Sequence, residues 1–198
     1  ELAEKVFLAA RDEQVLLAQA TTGIGKTLGT IFPQLKAMGE HNNDRLFFLT
    51  AKTPGRQLAL DAIEALRKAC YDLQLRVLEH VARDKACVYP DRACHGESCP
   101  LATGFYDRLP AARAEAVSRR WLSHEAIRDI ASRHTICPYY LSQELAKWSD
   151  VFVGDCNYYF DMSALMYAYT VINEWRVTVL VDEAHNLVDR ARGMYTAS

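Results

Sequence analysis

Apolar positions in the first 80 residues follow two spacings that alternate along the chain. Continuous apolar runs predict buried strands, and apolar positions three or four residues apart predict helices. Because uniformly apolar strands alternate with helices, we predict an α/β fold with a parallel sheet covered on both faces. Pro33 predicts a kink or an early end in the second helix. The predicted strands are 15–18, 45–50 and 75–78, and the predicted helices are 2–10, 28–38 and 56–68.

The alternation breaks near residue 80, where cysteine, proline and glycine crowd residues 84–104. An arginine-rich helix is then predicted over residues 111–131. The strand and helix rhythm resumes after Pro138, with a helix to Trp148. We therefore predict one α/β domain formed by 1–79 and 139–198, interrupted by an insert over 80–138. The further predicted elements are strand 150–154, helix 162–172 and strand 177–181.

The composition describes a globular protein without a strong overall charge. The chain has 198 residues, of which 50% are hydrophobic, and a net charge of -2. Any nucleic-acid binding must therefore come from local patches. No run approaches the roughly 18 apolar residues of a membrane span, and the first residues do not look like a secretory leader. We expect a cytoplasmic protein, whose reduced cysteines favour metal ligation over disulfides.

A glycine-containing loop lies between the first predicted strand and the helix that follows it. The loop is Ala20-Thr21-Thr22-Gly23-Ile24-Gly25-Lys26-Thr27. Such a loop can wrap its amide groups, from Thr22 to Gly25, around phosphates, and the helix start adds partial positive charge. Lys26 is placed to reach the β- and γ-phosphates and Thr27 to hold Mg²⁺. The strict pattern has glycine where this chain has Ala20, and an ordinary strand-to-helix turn is the alternative.

Two carboxylates follow the last predicted strand directly. Ligand sites of open α/β sheets lie beyond the carboxyl ends of the strands, so this group and the glycine loop can share one edge. Asp182 is predicted to hold the same Mg²⁺ as Thr27, and Glu183 to orient and deprotonate the attacking water. An acidic helix N-cap is the alternative.

Four cysteines are candidate metal ligands, with the spacing Cys87-x6-Cys94-x4-Cys99-x37-Cys137. Structural zinc usually takes two tight cysteine pairs, and one pair here has that spacing. Iron–sulfur ligation accepts the looser arrangement. His95 is a possible alternative ligand. The competing interpretation is four unrelated buried thiols, the interpretation given to Cys70 and Cys156.

Together these motifs resemble the superfamily 2 iron–sulfur DNA helicases, the XPD/Rad3 and DinG-like group, with bacterial DinG-like members nearest. The resemblance implies a RecA-like motor domain, ATP hydrolysis with Mg²⁺, a [4Fe-4S] insert and 5′ to 3′ movement on single-stranded DNA. It implies a catalytic set of Lys26, Asp182, Glu183 and His185, and a cytoplasmic, nucleoid-associated bacterial protein. The matching segments are 20–27, 49–53, the cysteines through Cys137-Pro138-Tyr139, 150–159 and 182–185.

The resemblance also implies partners and further parts. The expected partner is single-stranded DNA or a forked duplex, and a longer parent is expected to carry a second RecA-like domain and an arch domain. Lys52, Thr53 and Arg56 follow a strand end where family members touch the DNA backbone, although an ordinary helix start looks the same. Tyr139 and Tyr140 either stack on bases or pack against the insert. A group of arginines either lines a channel or solvates a helix: Arg113, Arg119, Arg120, Arg128 and Arg133.

Two other functions are compatible with the same residues. One is an ATP-driven translocase or nuclease-coupled motor that does not unwind duplexes. The other is a redox-sensing or zinc-bound nucleic-acid-binding module with a vestigial nucleotide site. Strand-displacement assays separate the first from a helicase, and iron content separates the second.

Overall fold

The structure is a computed structural model that describes residues 1–19, 25–41, 43–71, 73–161 and 164–194. The chain divides into two compact units. The terminal unit contains both chain ends, Glu1–Leu73 and Val153–Ser198, and the middle unit is Gln74–Phe152. The predicted insert, 80–138, lies entirely within the middle unit.

The strands form one five-stranded sheet in the order β3-β2-β4-β1-β5. The pairs β1–β5 and β2–β3 are parallel. The predicted α/β fold with a parallel sheet is thus confirmed, and four of the five strands were predicted from apolar runs. The strands are β1 Arg45–Leu49, β2 Val77–Glu79, β3 Trp121–Leu122, β4 Val151–Gly154 and β5 Val177–Val181.

In the terminal unit, helices pack against β1, of whose five residues four are buried. Apolar side chains of α2 and α3 supply the facing layer, with Ile31 and Ile63 fully buried. The predicted early end at Pro33 is wrong, because α2 continues past it to Glu40. Burial of Ile31, Leu35 and Ala37 around the proline offsets the lost hydrogen bond. The helices are α1 Leu2–Arg11, α2 Lys26–Glu40, α3 Thr53–Ala69, α8 Asn157–Phe160, α9 Leu165–Ile172 and α10 Asn186–Met194.

The predicted strand at 15–18 is wrong. Residues 14–19 have no strand hydrogen bonding, and Val15 and Leu17 are 93% and 87% exposed. A strand forms where a neighbour completes its hydrogen bonds, and none of the described strands pairs with this segment. The short apolar run alone does not supply that neighbour.

In the middle unit, the single helix predicted over 111–131 is also wrong, because the chain reverses at Arg120 (φ 60°). Trp121 and Leu122 then pair with β2 as β3, and the Ser123 hydroxyl caps the next helix by accepting the Ala126 N–H at 3.3 Å. Strand pairing and burial of Leu122 outweigh helix propensity there. The helices are α4 Arg83–Ala86, α5 Phe105–Arg119, α6 His124–Arg133 and α7 Pro138–Leu145, followed by a 3-10 turn at Ala146–Trp148.

Candidate nucleotide and metal sites

The acidic turn, Asp182–His185, follows β5 at the carboxyl edge of the sheet. The Asp182 N–H donates to the Leu49 carbonyl at 2.9 Å, which extends the pairing with β1 by one residue. Glu183 takes a left-handed conformation (φ 54°), and its carboxylate lies 3.4 Å from Nδ1 of His185. The side chains of Glu183 and His185 are 45% and 74% exposed. The turn therefore presents its carboxylate and imidazole to solvent, where a substrate can reach them.

The Asp182 side chain reaches the first turn of α3. A Cβ added to Gly55 would clash with the Thr50 hydroxyl and lie 3.0 Å from Asp182 Oδ2. Thr50 is buried, and its hydroxyl accepts the Lys52 N–H at 3.4 Å. The segment after β1 and the acidic turn therefore meet at one point.

Of the three predicted DNA contacts, two lie on the surface. Lys52 and Thr53 are exposed at the start of α3. Arg56 is 7% exposed, and its Nη2 lies 3.4 Å from the Thr53 hydroxyl that it faces. Burial leaves Arg56 little surface for a ligand, whereas Lys52 and Thr53 are open to one.

The phosphate loop is described only from Gly25 onward; Thr22, Gly23 and Ile24, with Ala20 and Thr21, lie outside the described residues. Gly25 has a left-handed conformation (φ 76°) and immediately precedes α2. Lys26 and Thr27 form the first turn of that helix and are half-buried. α2 packs against β1 and β5, so it belongs to the same unit as the acidic turn.

A charge pair that the sequence did not reveal lies at the end of β4. Arg190 of α10 donates to Asp155 Oδ1 at 2.8 Å and to the side chain of Asn157, and the hydrogen bond to Asp155 raises the pKa of Arg190. Between them, Cys156 is buried, which raises its pKa to about 11. Thirty-five residues separate Arg190 from Asp155, and no periodicity in the sequence connects them.

All four predicted ligand cysteines line one cavity in the middle unit. Its empty volume, including open solvent at the mouth, is about 340 Å³. This shared cavity favours one set of ligands over four unrelated thiols. His95 is exposed and does not line the cavity, and Cys70 is exposed rather than buried. The lining residues are Cys87, Val88, Tyr89, Arg92, Cys94, Cys99, Leu101, Ala102, Cys137 and Tyr140.

Cys137 immediately precedes α7. Burial is the main cause that raises the pKa of its thiol. The backbone N–H groups of Tyr139 and Tyr140 act in the opposite direction, although their contact with the sulfur is too loose to make Cys137 a side-chain cap. Cys87 and Cys99 lie near enough to raise that pKa further.

The metal itself stays a prediction. Across the described parts of the chain, no three His, Cys, Asp or Glu side chains converge closely enough to hold a metal ion. The Cys, His, Asp and Glu residues that line the cavity are all cysteines, and thiolates are the ligands that soft metals prefer.

Some of the tyrosines and arginines suggested as DNA contacts in the middle unit pack against other side chains, and others lie on the surface. Tyr140 lines the cavity and is 40% exposed, whereas Tyr139 packs against His80 with ring centroids 5.5 Å apart. Arg113 bonds to Glu144 and lies over the Trp148 ring. Surface ion pairs join Arg119 and Arg133 to Glu115 and Asp129, and Arg120 and Arg128 are exposed.

Comparison with known proteins gives the family. The DEAD_2 family model matches residues 44–198, which include the four cysteines and the acidic turn. The chain belongs to the DEAD_2 family. The match begins after the phosphate loop, so the roles of residues 20–27 rest on the sequence pattern.

Curated relatives of this DEAD_2 protein are animal helicases. A regulator of telomere elongation helicase 1 homolog from Anopheles gambiae is 25% identical over 158 residues, covering 73% of this chain and 16% of that protein. The human regulator of telomere elongation helicase 1 is 26% identical over 137 residues, covering 63% of this chain and 11% of that protein. The chain thus spans a small part of the length of these relatives. They give no support to the predicted bacterial, nucleoid-associated origin.

Solved structures share the fold. A structure titled Truncated XPD has a TM-score of 0.62 at 18% identity, covering 94% of this chain and 52% of that one. A second, titled XPD_Helicase, has a TM-score of 0.60 at 17% identity, covering 94% and 32%. The predicted resemblance to XPD/Rad3-type helicases and the RecA-like fold are confirmed. Within the described residues, no helix has the length and apolarity of a membrane span.

Proposed function

We propose that this chain is the ATP-binding and iron–sulfur portion of an ATP-dependent DNA helicase that moves 5′ to 3′ on single-stranded DNA. The observation that carries the proposal is the convergence of four cysteines on one cavity in a protein of the DEAD_2 family. The helicase names of the relatives support the same function.

At the nucleotide edge, each residue has a separate role. Lys26, at the start of α2, is placed to contact the β- and γ-phosphates of ATP, with backbone amides from Thr22 to Gly25 around them. Thr27 and Asp182 would hold the Mg²⁺ that neutralises phosphate charge.

The general base of the proposed reaction is Glu183. Its exposed carboxylate can orient a water and accept a proton from it as the water attacks the γ-phosphate. His185, 3.4 Å away, can fix the direction of that carboxylate.

In the middle unit, Cys87, Cys94, Cys99 and Cys137 would hold a [4Fe-4S] cluster. A cubane cluster binds each cysteine through a different iron, so it requires four thiols around one cavity rather than four thiols at one point. The placement of all four cysteines along one cavity supports this assignment.

DNA binding is proposed at the exposed start of α3, through Lys52 and Thr53. Backbone contacts of this kind hold a strand without reading its sequence. Unwinding of a forked duplex is proposed for a longer polypeptide with a second RecA-like domain and an arch domain. An arginine from a facing domain is worth about 10³ to 10⁵ in phosphoryl-transfer rate, so the 198-residue chain is expected to bind nucleotide weakly and not to separate strands.

Two substitutions test the assigned roles. Lys26→Ala should weaken ATP binding about 10- to 150-fold, the worth of a hydrogen bond to a charged group. Glu183→Gln should leave binding unchanged and abolish turnover in the longer parent, since the carboxylate acts on water rather than on phosphate. Binding is measured by titration calorimetry, with Glu4→Gln, an exposed glutamate of α1, as the control.

Equal loss of ATP binding in both variants would show that the roles are wrongly assigned. Hydrolysis by the parent without strand separation would favour the translocase. Bound zinc without ATP binding would favour the nucleic-acid-binding module.

A further inference from the structure

A buried imidazole packs against α7, the helix that Cys137 immediately precedes. His80 follows β2 directly and is 0% exposed. Burial of a polar ring is unfavourable unless the ring is hydrogen-bonded, and Nδ1 of His80 lies 2.7 Å from the hydroxyl of Ser142, which is itself buried. Neither the nucleotide roles nor the cysteine roles proposed above use this pair.

The direction of the hydrogen bond follows from the second contact of Ser142. Its single O–H donates to the carbonyl of Tyr139 at 2.8 Å. The hydroxyl oxygen is then the acceptor for His80, so Nδ1 carries a proton and donates it. His80 thereby connects the end of β2 to the backbone of the first turn of α7.

Ring contacts hold the same turn. The imidazole lies 5.5 Å from the Tyr139 ring and 5.7 Å from the Phe152 ring, tilted by 35° against each. Phe152 belongs to β4 and is buried. The first turn of α7 is thus fixed to β2 by a hydrogen bond and to β4 through stacked rings.

Cys137 depends on the geometry of this turn. The N–H groups that face its sulfur are those of Tyr139 and Tyr140, and Tyr140 also lines the cysteine cavity. A shift of the turn changes both the position of the sulfur and the dipoles around it.

We propose that His80 is a positioning residue for Cys137, which it holds against the cysteine cavity through Ser142 and Tyr139. A role of this positioning in metal binding rests on the proposed function. The positioning of Cys137 by His80 is proposed for the metal-free chain as well. It predicts that loss of the hydrogen bond frees one thiol selectively.

The test measures alkylation of each cysteine by iodoacetamide, read by mass spectrometry, in the full 198-residue chain after metal removal with a chelator. His80→Phe keeps a flat ring and removes the donor, and Ser142→Ala removes the acceptor. Both should raise the alkylation rate of Cys137 about five-fold, because one net hydrogen bond is worth about that factor in an equilibrium. Cys94, which lies on no helix, and buried Cys156 should react as in the unchanged chain.

His80→Asn supplies the rescue, because its amide nitrogen occupies nearly the position of Nδ1 and can donate to Ser142. It should restore the Cys137 rate, and His95→Asn, at an exposed histidine, should leave the rate unchanged. If His80→Phe does not fold, Ser142→Ala decides the matter. An unchanged Cys137 rate, or equal acceleration at Cys156, would overturn the proposal.

Reconstitution with iron and sulfide separates this proposal from the proposed function. If the unchanged chain takes up no iron while His80→Phe and Ser142→Ala still alter alkylation of Cys137 alone, the result would support the positioning of Cys137 by His80 and contradict the proposed cluster. Iron uptake by the chain, together with an unchanged Cys137 alkylation rate in both variants, would support the proposed cluster and contradict the positioning by His80.

Discussion

The cysteine cavity of the middle unit and the acidic turn of the terminal unit differ in how their candidate ligands are arranged. The cavity is lined by Cys87, which follows α4, by two cysteines of the segment between α4 and α5, and by Cys137, which precedes α7. The acidic turn leaves Glu183 and His185 open to solvent. Under the proposed function, this difference suits a metal group that stays bound in the cavity and a nucleotide that enters and leaves at the edge.

Different contacts hold the two regions in place. Around Cys137 the chain is fixed by buried side chains, including Leu141, Ser142 and Ile136. The acidic turn is fixed by backbone contacts at its two ends, Asp182 N–H to Leu49 and Asn186 N–H to the Glu183 carbonyl at 3.0 Å. A substitution in the cavity should therefore disturb the packing of neighbouring residues. A substitution in the acidic turn should change the chemistry of the site without disturbing the fold.

The largest expected effect comes from Cys137→Ser, which replaces a soft ligand by a hard one. The variant should lose its visible absorption and loosen the middle unit, leaving β1 and β5 of the terminal unit protected. Hydrogen exchange should show deprotection confined to about residues 80–140, as expected for local opening. Cys70→Ser, at an exposed thiol outside the cavity, is the control, and deprotection of Val177–Val181 would contradict the separation of the two regions.

A smaller effect is expected from Gly55→Ala, which tests whether the first turn of α3 packs closely against Thr50 and Asp182. The new Cβ would clash with the buried Thr50 side chain, so the free energy of unfolding should fall by about 1 to 3 kcal/mol. Mg²⁺-dependent nucleotide binding should weaken too, because Asp182 must move. Urea unfolding measures the first effect.

The matched control for that substitution is Gly39→Ala in α2, where a Cβ meets nothing within 4 Å. There the helix should gain up to about 1 kcal/mol. Equal effects at both glycines would show that α3 does not pack closely on the acidic turn.

The smallest effect concerns the ion pairs that join α5 to the end of α6. The hydrogen bond from His134 is the largest cause that lowers the pKa of Glu115 below 4.5. A carboxyl whose pKa is lowered by folding stabilises the fold above its unfolded pKa and loses that contribution as pH falls through the folded value. Glu115→Gln should therefore lower the melting temperature at about pH 6, and this difference should shrink as pH falls below the ordinary pKa of a glutamate.

Glu97→Gln, an exposed glutamate of the same unit, is the control for Glu115→Gln. A Glu115→Gln difference that grows towards low pH would contradict the sign of this linkage.

The sequence predicted the parts of the fold that carry long periodic signals. The runs at β1 and β5, and the amphipathic spacing of α3, are strong enough to identify those elements. β3 could not be found, since two residues give no period and its formation depends on β2. The run at 15–18 misled for the opposite reason, because an apolar segment without a paired neighbour does not become a strand.

For the candidate site, residue types and their order were sufficient to select the four cysteines, but not to bring Cys137 to the other three across 37 residues. Contacts between distant side chains lay beyond the sequence altogether. The pairs Arg190–Asp155 and His80–Ser142 join residues 35 and 62 positions apart, and they depend on how the elements pack.

The most direct test is metal analysis of the chain prepared without oxygen, together with its visible spectrum. If the cavity holds a cubane cluster in a helicase motor, the protein is brown and contains about four irons and four sulfides per chain. Stoichiometric zinc in a colourless protein would contradict the account.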